Sequence, residues 1–124
     1  MKTNLKPNIY VKDIFSINYE KLKKRALDKS EYTVSMNDEN NIIELDNLKT
    51  CFFTDNGTVM SVNGVSFNIP KNKIVGVVGE SGCGKSVTSL SIMRLLQGPQ
   101  GQIVGGEIKF NCKNRKKPID ITKL

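Results

Sequence analysis

The amino-acid sequence predicts an α/β fold, and three local patterns carry that prediction. Residues 74–78 form a short apolar run rich in β-branched side chains, which is typical of a buried parallel strand. A glycine-rich turn at 79–86 follows this run directly, and apolar residues then recur at every third position to residue 96, which indicates a helix. Upstream, residues 42–69 alternate short apolar stretches with turn residues, the pattern of antiparallel strands.

The antiparallel part is expected to contain four short strands separated by turns. The predicted strands lie at 42–45, 51–53, 59–62 and 65–69. Asp55-Asn56-Gly57 is the predicted hairpin turn between the second and third strands, because Asn-Gly tolerates positive φ. Asn63-Gly64 is predicted as a second turn, and residues 70–73 as a third that leads into the apolar run.

The helix after the glycine-rich turn is predicted over 86–96. Its apolar positions, expected on one face, are Val87, Leu90, Met93 and Leu96. Gly98-Pro99 is expected to end it, because glycine caps a helix and proline cannot continue one. The sequence then predicts a glycine-rich loop at 98–106 and a last strand at 107–110.

The glycine-rich turn matches the phosphate-binding loop pattern G-x-x-x-x-G-K-[ST] at every fixed position. Its residues are Gly79, Glu80, Ser81, Gly82, Cys83, Gly84, Lys85 and Ser86. The glycines allow backbone N–H groups, including those of the three variable residues between them, to converge on an anion at the helix N-terminus. Lys85 is predicted to bind the β- and γ-phosphates and the Ser86 hydroxyl to bind Mg²⁺. The alternative is a chance glycine-rich turn, which the strand before and the helix after argue against.

The cysteines and the absence of histidine limit the possible chemistry. Three cysteines without a C-x-x-C pair or zinc spacing are expected to be reduced thiols. Cys83 lies at a predicted helix N-terminus, where a thiolate is favoured, although a small residue filling a variable position explains it equally well. Because the chain has no histidine, the sequence excludes histidine-based acid–base catalysis and histidine-ligated metal.

The net charge of +7, from 19 basic and 12 acidic residues, points to anionic partners. The basic residues cluster in 107–124, where Lys113, Arg115, Lys116 and Lys117 follow one another closely. No aromatic residue is interleaved with them to stack on bases. We therefore favour a solvated loop over a nucleic-acid patch.

Residues 1–41 differ in composition and are predicted to be an N-terminal extension and linker, with a separate unit over 42–124. Asn18 is a candidate cap for a short helix at 19–27, and the polar stretch 30–41 is typical of a linker. No apolar run is long enough to span a bilayer, and the N-terminus lacks the apolar core of a signal peptide. These features predict a cytoplasmic protein.

Residues 42–124 closely resemble the start of the ATP-binding subunit of an ABC transporter, of the dipeptide/oligopeptide importer type. The stretches that carry the resemblance are 48–50, 52–57, 63–67, 78–86, 91–95 and 105–108. The resemblance implies a truncated P-loop NTPase fold, with an antiparallel β-subdomain and the first P-loop strand and helix. It also implies ATP with Mg²⁺ as the ligand, and either Phe52 or Phe53 as the aromatic that stacks on adenine. A core role for these two rings is the alternative.

The same resemblance implies partners and a location. The partners would be a second ATP-binding subunit, membrane permease subunits and a solute-binding protein, with the assembly on the inner face of the cell membrane. The family's later segments are absent from this sequence: the Gln loop, the signature segment, the Walker B acids and the switch histidine. Since phosphoryl transfer requires a positioned water, we expect this chain to bind ATP and not to hydrolyse it alone.

Two alternatives to this function are a non-functional gene remnant and a small basic nucleic-acid-binding adaptor. The remnant hypothesis draws on the N-terminal stretch as well. Residues 1–29 faintly resemble the start of a HAD-type phosphatase but lack the Asp-x-Asp pattern of its active site. Two unrelated starts in one frame are what a remnant would contain.

Overall fold

The structure, a computed structural model, describes residues 2–3, 26–82 and 84–124. These residues form one five-stranded antiparallel sheet with the strand order β1-β3-β2-β4-β5. The strands are β1 (Lys2–Thr3), β2 (Asn41–Thr54), β3 (Gly57–Pro70), β4 (Gly101–Phe110) and β5 (Ile119–Asp120). The helices are α1 (Lys29–Tyr32), α2 (Lys85–Ile92) and a final 3₁₀ turn (Ile121–Lys123). An antiparallel sheet, with the helix of the glycine-rich loop between β3 and β4, confirms the predicted fold class.

Two long strands, β2 and β3, replace the four short strands that the sequence predicts. The predicted hairpin turn is present, with Thr54 paired to Gly57 across it. The predicted turn at Asn63-Gly64 is wrong, because both residues lie inside β3. Gly64 has φ 78° and faces Asn47 of β2, which has φ 50°, and the pairing register shifts beside them. The positive φ of Gly64 therefore belongs to an irregularity in the pairing of β2 with β3 and not to a turn.

Strand β4 begins at Gly101, so the predicted loop at 98–106 is confined to its first residues. The sequence does not predict this strand over its full length, because its glycines carry no side chain and the alternation of apolar and polar residues typical of a strand is lost. Gly106 has φ 82°, and a Cβ there would overlap the Asn47 carbonyl. This glycine therefore allows β4 to pass closely over the irregular part of β2.

A small hydrophobic core joins β2, β3, β4, β5 and the 3₁₀ turn. Its buried side chains are Leu45, Leu48, Val62, Ile108, Ile119 and Ile121. Val87 and Ile92 pack against this cluster from α2. The core therefore holds the helix that follows the glycine-rich loop against the antiparallel sheet.

The segment 28–40, which covers most of the predicted linker 30–41, contacts the sheet beside β5. A capping box at Asp28 and Glu31 begins α1, and Val34 N–H donates to the Pro118 carbonyl at 3.0 Å. Met36 is buried. The division of the chain at residue 41 stays a prediction, and the helix predicted at 19–27 lies outside the described residues except for positions 26 and 27, which are not helical.

Glu44 connects this segment to β2 as a buried carboxylate. Its two oxygens accept hydrogen bonds from Asn37 N–H at 2.8 Å, Asp38 N–H at 2.8 Å and the Asn41 side chain at 2.9 Å. Burial alone would raise the pKa of the Glu44 carboxyl. The hydrogen bonds, with the charge of Lys109 nearby, together hold this pKa below its ordinary value. Glu44 is therefore an ionised anchor for the turn at 37–40.

Residues 74–78 form no strand, which is the main departure from the predicted elements. Ile74 is fully exposed and Val78 is 92% exposed. An apolar parallel strand needs a neighbour on each edge and cover on both faces. Among the described residues every strand pair is antiparallel and none lies beside 74–78. The sequence of 74–78 is typical of a strand, but among the described residues no strand pairs with it.

Candidate phosphate-binding loop

The glycine-rich loop leads from the exposed segment 74–78 into α2, as the sequence predicts. Gly84 occupies the position before the helix with φ 96°, and Gly82 has φ 80°. Both values lie in the left-handed region that favours glycine. Thr88 N–H donates to the Gly84 carbonyl at 2.9 Å, which closes the first helical turn.

The helix ends at Ile92, four residues before its predicted end. Arg94 has φ 57°, and the N–H groups of Arg94 and Leu95 donate to the carbonyls of Ser91 and Leu90 at 3.2 and 2.9 Å. This pair of bonds is a Schellman motif, which ends a helix before Gly98-Pro99 is reached.

The predicted apolar face of the helix is also wrong in part. Met93 is 56% exposed, whereas the buried residues of α2 are Thr88 and Ser91. Their hydroxyls are satisfied by the Gly84 and Val87 carbonyls, four residues earlier in each case. The side of α2 that faces the sheet is therefore lined by hydroxyl groups as well as by Val87 and Ile92.

Gly84 brings the start of α2 against the backbone of β3. A Cβ at this position would lie 2.5 Å from the Ser61 carbonyl oxygen. No residue with a side chain fits there without displacing the helix from the strand. Gly84 therefore serves both the loop conformation and the packing of α2.

We expect Gly84→Ala to destabilise the chain by about 1–3 kcal/mol and to displace the helix N-terminus. The reason is twofold, since the substitution adds a strained φ and a steric overlap with Ser61. Gly82→Ala is the matched control for φ alone, because a Cβ there meets nothing within 4 Å. Gly76→Ala has neither problem. Urea denaturation of the three variants should rank Gly84 as the most damaging, and equal midpoints for Gly84→Ala and Gly76→Ala would contradict the packing role.

Lys85 closes the loop by contacting its first residues. Its Nζ donates to the carbonyls of Gly79 and Glu80, the latter at 2.6 Å. An ammonium group has three donors and a flexible stem, so it can turn from carbonyl oxygens to phosphate oxygens without a change of fold. The structure thus places the lysine of the motif at the centre of the loop.

A cleft of about 520 Å³ lies beside the loop, within the size range of small-molecule sites. Its walls are Ser61, Ser81, Gly82, Gly84, Lys85, Ser86 and Val87. The structure therefore brings together most of the predicted loop residues, while Cys83 lies outside the described residues. Ser61 was missed by sequence analysis, because nothing in a strand serine some twenty residues upstream marks it as a neighbour of the loop.

The two candidate stacking residues lie elsewhere on β2 and do not line this cleft. The Phe52 ring covers Gly101, where a Cβ would come within 2.8 Å of its Cε1 atom. Phe53 N–H donates to the Gln100 carbonyl at 2.8 Å. Both rings are half-buried, and neither is among the side chains that pack against the core cluster. Adenine stacking and the core role therefore both stay predictions.

The donor set of the loop fits a magnesium-bound triphosphate. Two left-handed glycines, a lysine ammonium and the exposed Ser86 hydroxyl supply N–H donors, positive charge and one hard oxygen ligand. Mg²⁺ keeps most of its ligands as water and phosphate oxygens, so one protein hydroxyl is sufficient. The described residues hold no group of three or more acidic, cysteine or histidine side chains that could bind a metal without a phosphate.

None of the helices in the described part of the chain is long and apolar enough to cross a membrane.

Comparison with known proteins agrees with the geometry of the loop. Residues 62–122 match the family model described as ABC transporter. The chain is 49% identical over 73 residues to the oligopeptide transport ATP-binding protein AppD of Bacillus subtilis, a match covering 59% of this chain and 22% of that protein. It is 47% identical over 73 residues to the dipeptide transport ATP-binding protein DppD of the same organism, with the same shares. With the oligopeptide transport ATP-binding protein OppF it shares 42% identity over 83 residues, covering 66% of this chain and 27% of OppF. The chain thus spans about a fifth to a quarter of the length of these relatives.

Proposed function

We propose that this chain binds ATP with Mg²⁺ through the loop at 79–86, because residues 62–122 match the ABC transporter family model and the chain is similar to ATP-binding proteins of oligopeptide and dipeptide transport. The observation that carries the proposal is the loop itself. Gly84 starts α2 with a left-handed φ, and Lys85 and Ser86 line an adjoining cleft. Such a loop presents N–H donors and a cation to one anion.

Each loop residue has a separate role in this proposal. The backbone N–H groups of the loop hold the phosphate chain, and Lys85 moves from the Gly79 and Glu80 carbonyls to the β- and γ-phosphates. Ser86 holds Mg²⁺ through its hydroxyl, and the ion, when bound, neutralises phosphate charge. Ser61 lines the same cleft beside Gly84 and limits where the nucleotide lies.

The biological role we propose is ATP binding within an importer of dipeptides or oligopeptides. The names of the relatives support it, as they are ATP-binding proteins of oligopeptide and dipeptide transport. In such an assembly this chain works with a second ATP-binding subunit, membrane permeases and a solute-binding protein, on the inner face of the membrane. The exposed segment 74–78 fits this assignment, because its apolar side chains require further parallel strands to cover them.

Titration of the chain with a fluorescent ATP analogue in the presence of Mg²⁺ tests the proposal. We expect saturable binding, with ATP competing better than ADP and ADP better than AMP, because the loop recognises the phosphate chain. Binding with no dependence on phosphate number would contradict the proposed role of the loop. A parent chain that neither binds nor melts cooperatively would favour the remnant alternative. Binding of DNA with a steep salt dependence, in place of nucleotide, would favour the adaptor.

The isolated chain should hydrolyse no ATP above background. Among the described residues, the walls of the cleft contain no carboxylate or imidazole that could orient an attacking water. Release of inorganic phosphate should equal that of a Lys85→Ala preparation purified in parallel. Turnover approaching the enzymatic median of about 10 per second, abolished by Lys85→Ala, would contradict this expectation.

A further inference from the structure

A buried pair of hydroxyls joins β2 to α2. Thr50 and Ser91 are both fully buried, and their Oγ1 and Oγ atoms are 2.9 Å apart. Ser91 Oγ also lies 2.7 Å from the Val87 carbonyl, to which it donates. A serine hydroxyl has a single proton, so Thr50 donates the proton of the other bond. The two hydrogen bonds therefore run in series, from Thr50 on β2 to Ser91 and from Ser91 to the Val87 carbonyl in the first turn of the helix.

These two hydrogen bonds join α2 to the sheet in a directional way. The segment that precedes the loop, 74–78, pairs with no described strand and cannot fix the helix through the sheet. In the described part of the chain, α2 meets the sheet at β2 and β3. Its other attachments there include the close approach of Gly84 to Ser61 and the apolar packing of Val87 and Ile92. Apolar contacts are not directional, whereas a hydrogen bond fixes one geometry.

We propose that Thr50 is a positioning residue for the phosphate-binding loop. Its hydroxyl fixes the rotation of α2 on the sheet, and this rotation aims Lys85 and Ser86 into the cleft. The second of these hydrogen bonds ends at the Val87 carbonyl, and Val87 follows Ser86 directly and lines the same cleft. The hydroxyl of Thr88, on the buried side of the same turn, donates to the Gly84 carbonyl at 2.8 Å and so links this turn to the loop. The inference rests on the proposed function, because it assigns Thr50 to the same site.

Valine at position 50 would have the shape of threonine without its donor. The buried Ser91 oxygen would then lose its partner on β2 and keep only its bond within the helix. Since the valine side chain fills the space of threonine and leaves no cavity, the β2–β3 hairpin should remain intact. The expected consequence is a helix that rocks on the sheet and a loop that is held less firmly.

The test compares Thr50→Val, Thr50→Ser and the matched control Thr58→Val, which makes the same change on β3 at a half-buried position next to the hairpin turn. Hydrogen exchange of the free chain should show faster exchange for the amides of 88–92 in Thr50→Val, with the hairpin amides unchanged. Affinity for a fluorescent ATP analogue with Mg²⁺ should fall about fivefold to tenfold. Thr50→Ser should restore both properties, because it keeps the hydroxyl, and Thr58→Val should change neither.

Unchanged exchange in α2 of Thr50→Val would overturn the positioning role whether or not nucleotide binds. Failure of Thr50→Ser to restore the parent behaviour would overturn it as well, since the hydroxyl would then not be the cause. Equal ATP affinity of the parent and Thr50→Val would overturn the positioning role alone. Absence of nucleotide binding by the parent itself would instead overturn the proposed function, and the two failures are therefore distinguishable.

Discussion

Replacing Lys85 by alanine should weaken binding of an ATP analogue by about tenfold to a hundredfold. The substitution removes a charge-assisted contact worth about 1.5–3 kcal/mol, and every 1.4 kcal/mol corresponds to about a factor of ten. Folding should change little, because the Lys85 ammonium contacts the Gly79 and Glu80 carbonyls of an exposed loop and not the core. Fluorescence titration gives the affinity, and thermal melting of the same samples shows whether the fold is intact.

Lys116→Ala is the control for diffuse charge. It removes the same charge from an exposed position that does not line the cleft, and should leave the affinity within about twofold of the parent, because salt screens exposed charges. If Lys85→Ala and Lys116→Ala both bind like the parent, the attraction is general and the loop is not the site. If both weaken binding equally, net charge is the cause, and the specific role of Lys85 is wrong.

The conformation of the glycine-rich loop was predictable because its requirements are local. Gly82 and Gly84 need left-handed φ values, Lys85 needs its place at the start of a helix, and all three lie within four consecutive residues. The hairpin turn before Gly57 was predictable for the same reason. Motifs of this kind can be read from sequence because a few neighbouring residues determine the backbone conformation that the motif needs.

The strand ladder was less predictable because glycine and asparagine have several uses. Asn63-Gly64 has the composition of a turn, but Gly64 serves an irregularity opposite Asn47. Gly106 likewise permits a close approach of β4 to Asn47 inside a strand that looked like a loop. Which use applies depends on the strand alongside, and a single sequence does not state which strand that is.

Residues 74–78 show the opposite case, a strong local pattern without a strand. Strand propensity and apolar character are present, yet a strand exists only when partners satisfy its backbone groups. Ser61 and Thr50 were missed for a related reason. Their importance arises from contacts with Gly84 and Ser91, which are distant in sequence and leave no local signature.

Replacing Glu44 by alanine should destabilise the chain by about 2–4 kcal/mol, which is a large share of the stability of a small domain. The side chain is 2% exposed and accepts three hydrogen bonds, from Asn37, Asp38 and Asn41. Its removal leaves these donors without their acceptor and frees the turn that connects the segment 28–36 to β2. Glu44→Gln should cost less, since one oxygen remains, although its NH₂ group then faces a backbone N–H. Urea denaturation at pH 7 measures both, and Glu39→Ala, at an exposed position in the same turn, is the control.

The stabilisation by Glu44 should also depend on pH with a definite sign. The pKa of its carboxyl is lower in the folded chain than in the unfolded chain, where it takes its ordinary value near 4.5. Its contribution is therefore complete above that ordinary value and is lost as the pH falls through the lower, folded value. The stability difference between the parent and Glu44→Gln should stay constant from about pH 8 to pH 5 and shrink below about pH 4.5. A difference that stays constant down to pH 3, or that grows on acidification, would show that the ionised Glu44 carboxylate does not anchor the turn.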